Sequence, residues 1–536
     1  MVRSFAGLAG LMPVGSIAAG SLMAVTLFGT SSCGKGEETQ ANALPLSIDG
    51  EASYARNCSV CHGATGRGDG PAAHYLDPRP RDFGRGSFRL VSTKNQVPTE
   101  DDIARTIRLG IPGTGMPPWS HLSDEEQKNL TQHVLKLRKD EIIRASVASG
   151  KSQADAEARA RKLMTPGEVI NPPPMPANIS MEDAKKVFVE TCAKCHGDDG
   201  TGKNDPSWRT EEGFPIKSRN FVRGVFKGGR DSIELYRRTA AGMPGTPMPA
   251  FGALEPDYIW KMVKYIESLS DPKAQERAWV KPVTISVKKV AALPKDANDA
   301  GWQGAPAVSI AVFPLWANDD AVDAVAVRAL YDSSRIGFLL EWNDASEDAT
   351  GATVSAFPDA AAVQFSADMN PPFFGMGDPD RPVHLWHWKA VWEADRKAFS
   401  DVVAKSPPGI SQYWVEGKGW VEKPSDANEK FHTAVGANNP LSMRGRGGRA
   451  EELNVAQFGS LTTAPADQQG VEASGGWSNG TWKLMLHHPL AAGHAGESDL
   501  EPGEQESVTF AIWNGKIGDR NGQKSVSVWH TLKLEP

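Results

Sequence analysis

The sequence has no long basic run. Its 58 lysines and arginines are interspersed with 65 aspartates and glutamates, for a net charge of −7, which excludes the electrostatic footprint of a nucleic-acid partner. Cysteine is scarce: five occur in 536 residues and none beyond position 195, so nothing in the C-terminal part can be held through a thiol. Histidine is missing between His196 and His384, which denies that stretch an imidazole ligand of its own. Tyrosine is sparse, seven against sixteen tryptophans, and twelve of those tryptophans lie beyond residue 300. A chain of this length splits into several domains, and the tryptophan bias sets the last of them apart.

Residues 1–44 read as a targeting segment and tether. Arg3 is followed by an apolar run with no charge until Lys35, and Cys33 stands at its end, after small residues and before a polar stretch. This resembles a bacterial lipoprotein signal with Cys33 lipidated, although Thr30 stands where leucine is usual. An uncleaved membrane anchor and an unmodified free cysteine are the alternatives. The expected location is the periplasmic side of a bacterial membrane, held there by lipid.

The other four cysteines fall in "CSVCHG" (Cys58, Cys61, His62) and "CAKCHG" (Cys192, Cys195, His196). C-x-x-C-H attaches a c-type haem: cysteines three apart on a helical turn reach two vinyl groups, and the adjacent histidine reaches the iron. A thioredoxin-like pair, a zinc site or a disulfide would explain one isolated motif. Two copies with the same downstream features argue against all three.

Those features form an internal repeat. "IRLGIPGTGMPPW" in the first copy aligns with "RRTAAGMPGTPMPAF" in the second, placing Met116 on Met248, 58 positions after Cys58 and 56 after Cys192. A loop stiffened by proline and glycine presents a thioether to the iron opposite the histidine. Met243 aligns with Ile111 and reads as a pocket residue. His62 with Met116, and His196 with Met248, are therefore the expected iron ligands. In the first copy His74 is the alternative to Met116; in the second the missing histidines rule out a bis-histidine site. Each loop precedes an amphipathic helix, the first with a Ser123/Glu126 capping box. This resembles the class I cytochrome c domain, over residues 45–140 and 178–272. Residues 141–177 between them read as a charged helix and a semi-rigid proline-rich linker.

From about residue 280 to 536, period-2 alternation and turn signals predict an antiparallel β-sandwich. Here "DAAAVQF", "PPFFGMGDPDRPV", "LWHWKA", "FGSLTT" and "GTWKLMLHHPL" resemble the haem-binding subunit of ethylbenzene dehydrogenase and related dimethyl sulfoxide reductase-family enzymes. The resemblance implies one b-type haem between axial side chains, with Met376 as one ligand. Lys389 is a candidate for the second, and His487 and His488 are alternatives.

The fold class is thus multidomain: two all-α cytochrome c domains and a C-terminal antiparallel β-sandwich. The expected function is electron transfer by two covalent haem c groups and one haem b, without catalysis of its own. By resemblance the partners are the catalytic and iron–sulfur subunits of a molybdenum oxidoreductase, together with soluble c-type cytochromes or the respiratory chain. A dihaem cytochrome with a carbohydrate- or ligand-binding sandwich is one alternative. A dihaem peroxidase is the other, disfavoured because both irons would be closed by methionine.

Overall fold

The computed structural model describes residues 49–270, 280–350, 355–369, 371–372, 376–397, 413–415, 419–421, 450–491 and 499–536. The N-terminal segment with Cys33 lies outside them, so its targeting and lipidation reading stays with the sequence.

The first repeat is built from helices α1 (Gly50–Asn57), α2 (Ser59–His62), α3 (Glu100–Leu109) and α4 (Asp124–Ala148). Local chemistry starts each of the longer ones. Asp49 caps α1, Thr99 and Asp102 form a reciprocal capping box on α3, and Ser123 with Glu126 does the same on α4. Their apolar faces meet in a core of Tyr54, Ile103, Ile107, Trp119, Leu130 and Val134.

Helix α4 does not stop at the expected domain edge. It runs on to Ala148, anchored by buried Glu141, which pairs with Arg144 and Arg67. Helix α5 (Gln153–Met164) packs back on α4 through buried Ala156 and Ala160. The proline-rich stretch that follows is tied down on both sides. Ile170 N–H donates to Ser92 (2.8 Å), and Pro173 carbonyl accepts from Trp260 Nε1 (3.0 Å).

The second repeat reproduces the first with α6 (Met181–Thr191), α7 (Ala193–His196), α8 (Ser232–Ala241) and α9 (Pro256–Leu269). Ser180 and Asp231 cap α6 and α8. Buried Ile259, Trp260, Val263 and Ile266 recur at helical spacing along α9. The repeats touch: Phe88 packs against both cores, and Arg105 pairs with Asp231 and Glu234.

The C-terminal domain contains strands β1 (Thr284–Lys289), β2 (Val308–Ala311), β3 (Phe313–Pro314), β4 (Ala324–Tyr331), β5 (Arg335–Asn343), β6 (Ala360–Ser366), β7 (Val383–Lys389), β8 (Tyr413–Val415), β9 (Gly419–Val421), β10 (Ala450–Val455), β11 (Thr462–Thr463), β12 (Glu472–Ser478), β13 (Thr481–Pro489), β14 (Gln505–Trp513), β15 (Ser525–Val526) and β16 (His530–Leu534). Helix α10 (Ala390–Lys397) follows β7 directly. The main path is β11-β10-β7-β6-β14-β16-β1-β4-β5-β13-β12, and β8 and β9 pair separately.

The sheet is mixed, which corrects the antiparallel expectation. Strand β1 runs parallel to both neighbours, pairing Thr284–Val287 with β16 and Lys288–Lys289 with β4. Alternation in a sequence reports which face of a strand is buried, not the direction of its neighbour, so this strand could not be oriented from composition.

By handing over from β16 to β4, β1 joins two half-sheets that pack face to face. Phe365, Trp386 and Trp388 from one half meet Phe338, Trp342 and Trp482 from the other. Ring centroids lie 5.8 Å apart for Phe338–Trp386 and 5.1 Å for Trp388–Trp482. Four of the tryptophans are thus core, their area burial stabilising the sandwich. The domain docks on the first repeat through backbone bonds from Asp77 N–H to Leu315 carbonyl (3.0 Å) and from Ala317 N–H to Asp77 carbonyl (2.8 Å).

Candidate haem sites

Each helical domain carries the same site, residue for residue. Cys61 and His62 amides donate to Cys58 carbonyl (3.1 and 2.9 Å), and Cys195 and His196 amides to Cys192 carbonyl at the same distances. This tight turn sets both sulfurs and the imidazole on one wall. All four thiols are free. Burial pushes those of Cys58, Cys61 and Cys192 up to about 12. They stay protonated, unlike the thiolates of a redox pair or a zinc site.

The imidazoles are oriented by backbone. His62 Nδ1 lies 3.1 Å from Arg81 carbonyl, and His196 Nδ1 lies 3.1 Å from Arg219 carbonyl. A carbonyl can only accept, so the proton sits on Nδ1 and the Nε2 lone pair is left for a metal. Burial lowers both rings, His62 to about 4, which keeps them neutral and able to ligate. Phe83 stacks on His62 (4.6 Å) and Phe221 on His196 (4.4 Å).

The methionine loops line the same cavities as the histidines. Ile111 N–H donates to Met116 carbonyl (2.9 Å) and Met243 N–H to Met248 carbonyl (3.2 Å). Thr114 and Thr246 hydroxyls brace each loop from inside. Gly110 and Gly242 end α3 and α8 at φ +65° and +69°. A β-carbon on either would lie about 2.5–2.6 Å from the loop backbone, at Pro117 and Pro249 respectively.

Cys58, Cys61, His62 and Met116 line one cavity of about 160 Å³. None of His74, His121 and His133 lines it. Cys192, Cys195, His196, Met243 and Met248 line a larger cavity, about 1580 Å³, that continues between the domains. Two thiols, a neutral imidazole with Nε2 available and a thioether lining the same cavity fit a covalently attached haem c.

A third cluster lies on the outer face of the β6, β7, β10 and β14 half-sheet. Met376 packs there with Ala362, Val383, Leu385, Leu453, Trp513 and Trp529. Strand alternation sends Trp386 and Trp388 inward and His387 and Lys389 to this outer face. His387 lies 5.3 Å from Trp513, ring to ring, and 3.4 Å from Glu451 through Nδ1. Lys389 Nζ lies over Trp392 at 5.0 Å, its pKa lowered by burial. His488 is elsewhere: it is inside the sandwich, stacked on Trp386 (4.9 Å) and 3.1 Å from buried Glu452. His487 pairs with Glu472 on β12 (3.6 Å).

One buried cluster lies between the first slot and this outer face. Cys61 and Val60 pack against its Leu76, Leu315 and Val526, and so do Ala511 and Trp529, which also pack against the cluster that Met376 covers.

Residue patterns alone passed over three groups. Arg81 with Phe83, and Arg219 with Phe221, supply the carbonyl and ring that hold each histidine. Their signal is a repeated Arg-x-Phe, "RDF" and "RNF". His387 was hidden in "LWHWKA", where only Lys389 was singled out.

Comparison with known proteins bears on all three domains. Residues 181–270 match the cytochrome c family, residues 48–134 the family of the cbb3-type cytochrome c oxidase subunit III, and residues 299–525 the ethylbenzene dehydrogenase family. The chain joins two cytochrome c domains to an ethylbenzene dehydrogenase-type domain. A proposed respiratory nitrate reductase heme subunit, ORF7, of Haloferax mediterranei is 23% identical over 249 residues, covering 45% of this chain and 69% of that protein. The chlorate reductase subunit gamma of Ideonella dechloratans is 21% identical, over 44% of this chain and 77% of its own length. The cbb3-type oxidase subunit FixP of Bradyrhizobium diazoefficiens is 26% identical over 42% of this chain and 61% of its own. A solved Kuenenia stuttgartiensis reducing HAO-like protein complex, Kustc0457/Kustc0458, aligns at 30% identity and a TM-score of 0.35, over 41% of this chain and 96% of that one. Cytochrome c domains imply haem c. Among the described residues no helix is long and apolar enough to cross a membrane.

Proposed function

We propose that this chain is the electron-transfer subunit of a periplasmic molybdenum oxidoreductase. It holds two haem c groups, one through Cys58, Cys61, His62 and Met116 and the other through Cys192, Cys195, His196 and Met248. A haem b would be held at the outer sheet face by Met376 together with Lys389 or His387. The observation that carries the reading is adjacency. The second slot opens toward the first, and a single buried cluster around Leu76 and Val526 lies between Cys61 of the first and Ala511 and Trp529, which flank the Met376 face. Three cofactor sites in succession suit relay of single electrons better than substrate turnover.

Bound haem would supply a one-electron Fe(III)/Fe(II) couple at each site. The protein residues do the rest. Arg81 and Arg219 carbonyls fix the histidines, Phe83 and Phe221 shield them, and the proline–glycine loops keep each methionine in place. Relatives named as reductase subunits support a partner complex of that kind. Domain limits near residues 45–140, 178–272 and 280–536 belong to the same reading, as does a tether through lipidated Cys33 outside the cytoplasmic membrane.

The test is a pyridine haemochrome assay on the purified chain before and after acid–acetone extraction. Two haems retained and one extracted is the expected result. Two retained and none extracted, from haem-replete cells, would turn the C-terminal domain into a binding module for another ligand. A chain with no retained haem would end the reading.

A further inference from the structure

Where the two helical domains meet, cations outnumber their partners. Lys227, just before the Gly228-Gly229 turn of the second domain, lines the cavity of the first domain as well as its own. Arg79 and Arg89, from the first domain, do the same. Arg81 alone is well paired, with Glu211 and Glu212. Arg89 reaches Glu212 at a loose 3.7 Å and leaves its Nε buried without a partner. Among the described residues no hydrogen bond or ion pair engages Lys227.

Desolvation holds the Lys227 ammonium well below the ordinary lysine range. Arg219, Arg89 and Arg81 add to that, and Asp77 opposes them more weakly. Taking a cation out of water without a counter-charge is costly. A site that gathers several such cations at one wall is built for an anion, and that wall separates the two slots. Haem presents two carboxylates, its propionates, at one edge.

We propose that Lys227, together with Arg89 and Arg79, forms one cradle shared by propionates of both haem c groups. This rests on the haem reading above and extends it: the two sites are electrostatically linked through a single lysine. A cation beside an iron favours the reduced state, which carries one more electron. One residue therefore sets part of both potentials.

The test is Lys227→Met and Lys227→Arg in the full chain, with spectroelectrochemical titration of both c-haems. Lys227→Met removes a cation that no described protein group pairs with, so the fold should tolerate it. Both haems should stay covalently bound and both midpoint potentials should fall. Lys227→Arg keeps the charge and should hold both near wild type. A shift of one potential alone, or of neither, overturns the shared cradle. So does an Arg variant that shifts as far as the Met variant. A wild-type chain without covalent haem overturns the haem reading itself, which separates the two failures.

Discussion

With Met248 as the proposed ligand of the second haem, replacing Gly242 by alanine should detach it without detaching the haem. Gly242 has φ +69° and ψ −162°, a region essentially reserved for glycine that costs an L-residue about 1–3 kcal/mol. Its new β-carbon would stand 2.6 Å from both the carbonyl carbon and oxygen of Pro249, where ordinary contact begins near 3.4 Å. The loop must therefore retreat by 3.4 − 2.6 = 0.8 Å, or the helix end must move as far. Staying put adds an overpacking cost of about 1–3 kcal/mol. Moving loosens three backbone bonds at the base of the loop: Met243 to Met248, Phe251 to Thr239 and Gly252 to Ala240. Each contributes about 0.5–1.5 kcal/mol. Neither route leaves the sulfur where it was. The readouts are loss of the ferric sulfur-to-iron charge-transfer band, carbon monoxide binding by the ferrous protein, and a lower potential at one of the two c-haems. Gly213→Ala is the control. Its φ, +86°, is also positive, but a β-carbon there meets nothing within 4 Å, so the band should survive. A full-strength band and no carbon monoxide binding in Gly242→Ala would refute the argument that the glycine exists to seat the methionine.

Three other perturbations have defined outcomes. Met376→Ala should abolish extractable haem b and leave both thioether-bound haems in place; equal haem b content would make that loop purely structural. Glu452, fully buried, is held well below the usual carboxylate range because hydrogen bonds from His384, His488 and the Gly470 amide outweigh the desolvation that would raise it. Glu452→Ala should destabilise the β-domain by about 3–5 kcal/mol in urea, read by tryptophan fluorescence; a loss under about 1 kcal/mol would contradict the buried-pair account. His530 accepts from Val283 N–H at Nδ1 (3.1 Å), and burial depresses its pKa to about 4. Its folded value lies below its unfolded one, so the stability it contributes is present above about pH 6.5 and is lost as pH falls toward 4, on the order of 3 kcal/mol in all. His530→Asn, which keeps an acceptor, should flatten that part of the pH–stability curve; an unchanged slope assigns the acid loss to other groups.

The candidate haem c sites can be read from the sequence because their chemistry is local. Two thioethers and one imidazole must come from five consecutive residues, and the methionine loop must be stiff, so both leave a printed motif. The capping boxes at Ser123 and Thr99 are local for the same reason. What holds the histidines is not. Arg81 follows His62 by 19 positions, while Arg219 follows His196 by 23, so the intervening loops break the register that would have exposed the Arg-x-Phe repeat. In the β-domain, alternation along β7 sorts Trp386 and Trp388 from His387 and Lys389, yet it cannot say which set faces a core and which a cofactor. The parallel pairing of β1 is invisible for a related reason, since its partners β16 and β4 are fixed by topology. Lys227 is the extreme case. In "VFKGG" it is one unremarked lysine, and its meaning comes from Arg79, Arg81 and Arg89 of one domain and Arg219 of the other, brought together only because the repeats pack slot to slot. A motif can thus announce each haem separately, whereas any coupling between the haems resides in an interface that no single motif encodes. The paired response to Lys227→Met is where that distinction can be measured.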